Sequence, residues 1–184
     1  MLYRVFPLEA GAALQEEGGP LHVARALQGG GRHDNPGRFG ILYASRSPES
    51  VVAEQIRRFR ARRITPAHFR REGRPMALAA IDDGSLEPLL DLDDPRNLAA
   101  RDLRPSGVAT GKRRATRRMA VQLYEEGPAG FEWWSTIEAS WINVTLFADR
   151  ALERLRLAAD PEPLTLDHGA VRAAADVVGV ELGS

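Results

Sequence analysis

Apolar residues recur along this chain with two different periods. Ile142, Val144 and Leu146 alternate with Asn143 and Thr145, the two-residue period of a half-buried strand. Val52, Ile56 and Phe59 instead recur at helical spacing. The helix they predict is well signalled at its start. Ser47 can cap it, Pro48 takes the first helical position, and Glu49 complements the positive end of the dipole. It is expected to run to about Arg62. Ala115, Met119 and Leu123 make the inner stripe of a second helix, ended by "EEGPAG". Strands are expected at "LYRVF" (2–6), "FGILYAS" (39–45) and "PMALAAI" (75–81). "LLDLDDPRNLAARDL" predicts a short strand and then a short helix, "LHVARAL" a further short helix, and 168–178 a last one. Strands and helices are interspersed without regular alternation, which predicts an α+β fold with a mixed sheet and flanking helices.

At 184 residues the chain is of single-domain size and can bury about 70% of its unfolded surface. It has no cysteine, which excludes a disulfide framework, a zinc–thiolate site and a thiol nucleophile. The first residues carry Arg4, Pro7 and Glu9 where a signal peptide needs an apolar core, and no apolar run approaches the ~20 residues of a membrane helix. A soluble, cytoplasmic protein is expected. Twenty-five basic and 25 acidic residues cancel, which argues against a nucleic-acid binder held by bulk charge.

"GGGRHDNPGRFGILYAS" (29–45) concentrates the candidate chemistry. Glycines let a backbone approach a ligand closely, and Arg32 beside them can grip an anionic oxygen with two N–H groups. The same residues also make an ordinary turn, since Asp34-Asn35-Pro36-Gly37 is good turn chemistry anywhere. The stretch is neither a dinucleotide fingerprint nor a P-loop. Glu54 lies on the helix side away from Val52, Ile56 and Phe59, where it can pair with Arg57 or Arg58 or line a cleft beside the glycine loop. "KRRATRR" (112–118) reads as a solvated helix face paired with Glu125 or Glu126, or as a docking face. His22, His33, His68 and His168 show no metal-ligand spacing, so no metal site is expected. Ser135, in "GFEWWSTIEASW", is either a strand serine bonded to backbone or part of a pocket wall for a flat polar ring.

In order along the chain, "YRVF", "GGRHDNPGRFGILYAS", "SVVAEQ" and "WWSTIEASWINVTLF" resemble the RES-domain family, named for an Arg, a Glu and a Ser. The resemblance spans residues 2–147 of what would be a single RES-like domain. Its pattern falls on Arg32, Tyr43, Glu54 and Ser135, with Asn143 and Phe147 closing it. It implies a fold similar to ADP-ribosyltransferases and an enzyme that destroys NAD by phosphorolysis or hydrolysis. It also implies a toxin whose partner is an Xre-type helix-turn-helix antitoxin; a homodimer is compatible with it. The catalytic residues it implies are Glu54, Arg32 and Tyr43, with Ser135, Asn35 and Arg4 also binding substrate. NAD would be a substrate rather than a cofactor, with inorganic phosphate as co-substrate and no metal. Two departures are His33-Asp34-Asn35 directly after the Arg, and Ala53 adjacent to Glu54. Transfer of ADP-ribose to a protein, or a non-enzymatic module docking through 112–118, are the competing readings.

Overall fold

The computed structural model describes residues 1–183. Its first strands are β1 (Leu2–Pro7), β2 (Ile41–Ser45), β3 (Arg63–Ile64), β4 (Arg70–Arg71), β5 (Arg74–Asp82) and β6 (Leu90–Asp91). Then follow β7 (Gly130–Trp134), β8 (Ile142–Phe147), β9 (Arg156–Leu157), β10 (Glu162–Pro163) and β11 (Glu181–Leu182). The helices are α1 (Pro48–Ile56), α2 (Pro95–Ala99), α3 (Pro105–Val108), α4 (Arg113–Glu126), α5 (Ala148–Ala151) and α6 (Gly169–Val178). The main sheet runs β10–β5–β1–β2–β8–β7–β6, with β4 and β9 also on β5, while β3 and β11 form a separate parallel pair. Within the main sheet β6 joins β7 in parallel whereas β1, β2, β5, β7 and β8 pair antiparallel, so it is mixed. The fold is α+β, as the element pattern predicts.

Local chemistry explains the main elements. The Ser47 hydroxyl accepts from the Ser50 N–H (3.2 Å) and Pro48 opens α1. This helix stops at Ile56 rather than near Arg62, and a 3-10 turn carries the chain from Arg57 to Phe59. Its inner stripe is as expected for Val52 and Ile56, both buried, while Phe59 is half-buried. In α4 the buried positions are Thr116, Met119, Ala120 and Leu123, so the stripe is turned slightly from Ala115. Gly127 ends it at φ +103°, a left-handed conformation that suits glycine. "LHVARAL" forms only a three-residue 3-10 turn, Arg25–Leu27. In β8 the expected polar, solvated face is absent: Asn143 is 6% and Thr145 0% exposed, because both faces of this central strand are covered.

Register assigns the faces, since directly opposed residues of an antiparallel pair share one. Tyr3 opposes Ser45, which opposes Asn143, which opposes Trp133. On that face lie two separate cores. One gathers α1 and α6 through Val52, Ile56, Val171 and Ala174 over Met76 and Leu78. The other gathers α4 through Met119 and Leu123 over Phe131 and Phe147. Each fully buried Val or Leu contributes about 1.5–3 kcal/mol. A third core, with Leu2, Phe6, Leu42, Leu146 and Leu155, fills the opposite face.

Candidate active site

The sheet is weakest where the two cores part. Strand β1 pairs with β5 at six positions and β2 with β8 at five, but β1 meets β2 at the single pair Tyr3–Ser45. A cleft of about 510 Å³ opens there, with Arg4 and Val5 on one side and Ile41 and Tyr43 on the other. That is within the range of small-molecule sites. A second hollow, beside Phe69 and Met76, measures about 20 Å³, room for one water molecule.

The residues singled out in the sequence meet unevenly. Arg32, Tyr43, Glu54 and Arg4 all line this cleft. Arg32 donates from Nη1 to the Thr110 carbonyl, and its guanidinium carbon lies 5.0 Å from the centre of the Trp133 ring. Burial lowers the Arg32 pKa from its usual value, and the Glu54 carboxylate opposes that shift. Glu54 also pairs with Arg57 one turn along α1 (3.3 Å), so pairing and lining the cleft are both true of it. Arg4 donates to the carbonyls of Pro20 (2.6 Å) and His22 (2.8 Å), and burial lowers its pKa to about 10.

Tyr43 is an anchor for the glycine loop. Its hydroxyl donates to Asp34 Oδ1 (2.7 Å) and accepts from the His33 N–H (2.9 Å). Burial and the Asp34 bond raise its pKa far above the ordinary range, so the phenol stays neutral. A Cβ on Gly31 would stand 2.4 Å from Asp34 Oδ1 and 2.5 Å from the Tyr43 hydroxyl, so the loop needs glycine at that position.

Two sequence candidates lie outside the lining. Asn35 donates from Nδ2 to the carbonyls of His33 (2.9 Å) and Arg117 (3.1 Å), tying the loop to α4. Ser135 is 3% exposed; its Oγ accepts from the Ile137 N–H (3.1 Å) and its own N–H donates to the Trp141 carbonyl (2.7 Å), which holds the β7–β8 connection.

The structure adds Arg57, Arg71 and Arg113 to the cleft lining, together with Asn143 from the family pattern; of the pocket wall weighed for "GFEWWSTIEASW", Trp133 lines the cleft and Ser135 does not. With Arg4 and Arg32, five arginines and a single acidic residue, Glu54, line the cleft, in a chain whose formal charge is zero. Asn143 Oδ1 accepts from the Ser50 hydroxyl (3.1 Å), turning its amide N–H₂ away from α1. The signal for Arg113 was present in "KRRATRR": Lys112, Arg113, Arg114 and Arg118 are exposed, as a solvated face requires, while Arg117 is half-buried and the expected ion pairs do not form. Glu125 pairs with Arg38 and Glu126 with Arg101, both at 2.6 Å, instead of with the helix's own arginines.

His33 is buried beneath this wall. Its Nδ1 shares a hydrogen bond with Thr145 Oγ1 (2.9 Å), which also accepts from Trp133 Nε1 (3.1 Å). Burial, aided by the Arg32 charge, lowers the His33 pKa to about 3, so the ring is neutral at physiological pH.

Residues 1–167 match the sequence profile of the RES domain. The chain belongs to the RES-domain family. Among solved structures, a chain of the M. tuberculosis MbcT–MbcA toxin–antitoxin complex is similar to this RES-domain protein. The TM-score is 0.61 with 18% identity, over 96% of this chain and 87% of the other. None of the curated proteins matches in sequence. Among the described residues no helix is long and apolar enough to cross a membrane.

Proposed function

We propose that this RES-domain protein degrades NAD by breaking the bond between nicotinamide and ribose, with inorganic phosphate or water as acceptor. The observation that carries the reading is that Arg32 and Glu54, 22 positions apart in sequence, line one cleft whose lining holds five arginines and one acidic residue. Such a cleft suits a ligand with a strongly anionic portion and one centre that becomes positive.

The chemistry fits that description. As the C1′–N bond breaks, nicotinamide leaves as a neutral molecule with the bonding pair, and the ribose ring takes oxocarbenium character. Glu54 stabilises that positive charge or holds the ribose hydroxyls. Arg32 grips the diphosphate, its planar fork matching two oxygens. Trp133 and the Asn143 amide offer a flat face and a polar contact to the rest of the ligand. An oxygen of phosphate or water then bonds to C1′ and gives up its proton to solvent. Tyr43 contributes through the loop it anchors, since its neutral hydroxyl is already engaged on both sides.

The protein acts in this reading as the toxin of a toxin–antitoxin pair, held in check by an Xre-type helix-turn-helix partner. Family membership and the likeness to a chain of a toxin–antitoxin complex support it. Arg113 faces the cleft and Arg117 bonds the glycine loop, which weighs against a module that only docks through 112–118.

The test is to incubate the purified protein with NAD and phosphate and identify the products. Free nicotinamide with ADP-ribose, or with its 1″-phosphate, is expected. Undiminished NAD would refute the activity, and label from radioactive NAD on a macromolecule would indicate ADP-ribosyl transfer instead.

A further inference from the structure

The loop that presents Arg32 contains three consecutive glycines, the residue type with the most backbone freedom to lose. It is nevertheless held at both kinds of backbone polar group. Asp34 Oδ2 accepts from the N–H of Gly29 (2.8 Å) and of Gly31 (2.5 Å). From the other side, Arg117 on α4 donates to the carbonyl of Gly31 through Nε (3.3 Å) and Nη2 (3.2 Å), and through Nη2 to that of Gly29. The next residue of α4 toward its start, Thr116, donates from Oγ1 to the carbonyl of Arg32 itself. Neither Asp34 nor Arg117 lines the cleft.

We propose that Asp34 and Arg117 are positioning residues: a carboxylate on the N–H side and a guanidinium on the carbonyl side clamp Gly29–Gly31, and so deliver the Arg32 guanidinium over Trp133 in one orientation. This rests on reading Arg32 as the diphosphate grip. Bonds with one charged partner are stronger than neutral ones, so two opposite charges restrain this loop better than turn chemistry alone. The planar fork of Arg117 reaches two carbonyls at once, which a lysine ammonium does not reproduce. The clamp also explains why a basic helix in a charge-neutral chain turns one arginine inward and leaves Arg114 and Arg118 exposed.

The experiment compares Arg117→Met, Arg117→Lys and Asp34→Asn with Arg118→Met as the control on the exposed face. For NAD cleavage, Arg117→Met and Asp34→Asn are expected to raise KM about tenfold while kcat changes less than about twofold, since displacement of a binding group by an ångström weakens positioning without removing the reacting one. Arg117→Lys should recover only part of the loss, and Arg118→Met should match the wild type. Amide hydrogen exchange supplies a readout independent of activity. The Gly31 N–H, bonded to Asp34, should exchange faster in Arg117→Met although Arg117 bonds the carbonyls of Gly29 and Gly31 and not this N–H. An unchanged Gly31 exchange rate together with a wild-type KM would overturn the clamp, as would a parallel fall in kcat accompanied by a general loss of exchange protection. Should the wild type leave NAD intact, the functional reading fails, and the Gly31 exchange still decides the clamp.

Discussion

The two walls of the cleft are built differently. The loop wall is fixed before any ligand arrives: the Gly31 N–H and the Tyr43 hydroxyl both donate to Asp34, and Arg32 rests over Trp133. The helix wall is looser. Glu54 is 32% and Arg57 48% exposed, and one ion pair at 3.3 Å joins them. A half-exposed pair of this kind is worth only about 0.3–0.5 kcal/mol, whereas a hydrogen bond to a charged group contributes about 1.5–3 kcal/mol. The difference teaches where each task is placed. Gripping a diphosphate rewards rigidity, because the donors must be aimed in advance. Meeting a charge that appears only as a bond breaks rewards a carboxylate that exchanges one cationic neighbour for another at little cost.

The sharpest way to break this contrast is at the carboxylate. Glu54→Gln removes the charge and keeps the shape, so kcat for NAD cleavage should fall about 10²–10³-fold while NAD affinity changes little. A loss confined to KM would assign Glu54 to binding and erase the distinction between the walls. Next in size is Gly31→Ala. The added Cβ would press on Asp34 and Tyr43 within 2.5 Å, so the variant should lose about 1–3 kcal/mol of stability by thermal unfolding. A wild-type Tm would mean that the loop wall yields, contrary to its proposed rigidity.

The buried histidine behind the loop wall gives a pH signature. With a folded pKa of about 3 against 6.5 in the unfolded chain, the unfolded state binds the extra proton as pH falls below 6.5. This part of the stability is therefore fully present above about pH 6.5 and declines toward pH 3, by at most about 1.4 kcal/mol per pH unit. Melting curves across that window should show a shallower acid loss in His33→Gln than in the wild type. Equal slopes would mean that His33 is not held neutral. The smallest effect is expected on the helix wall: Arg57→Ala should alter stability by no more than about 0.5 kcal/mol.

Legibility in the sequence follows the same division. The start of α1 was readable because capping is local chemistry, with Ser47, Pro48 and Glu49 acting on their own helix. The strands at 2–6, 39–45 and 75–81 were readable as apolar runs bounded by turns. Arg32, Tyr43 and Glu54 were placed by the order of their motifs, and the cleft gathers all three. What escaped depends on contacts between distant segments. Asp34 read as a turn residue because two of its partners are backbone N–H groups, which no pattern of side chains announces, and the third, the Tyr43 hydroxyl, comes from the neighbouring strand. Arg117 read as solvent-facing because only the packing of α4 against the glycine loop turns it inward, and Arg113, though exposed, gave no sign that it stands at the cleft. Asn143 and Thr145 looked like the wet face of a strand, and the second covered face of β8 became visible only in the sheet.

The most direct measurement is a crystal structure of the Glu54→Gln variant soaked with NAD. The expected result is NAD in the cleft between β1 and β2, its diphosphate on the Arg32 guanidinium and the nicotinamide-bearing ribose carbon beside residue 54. NAD bound with neither contact, or a cleft that stays empty at saturating NAD while the ligand sits elsewhere, would contradict a shared task for Arg32 and Glu54.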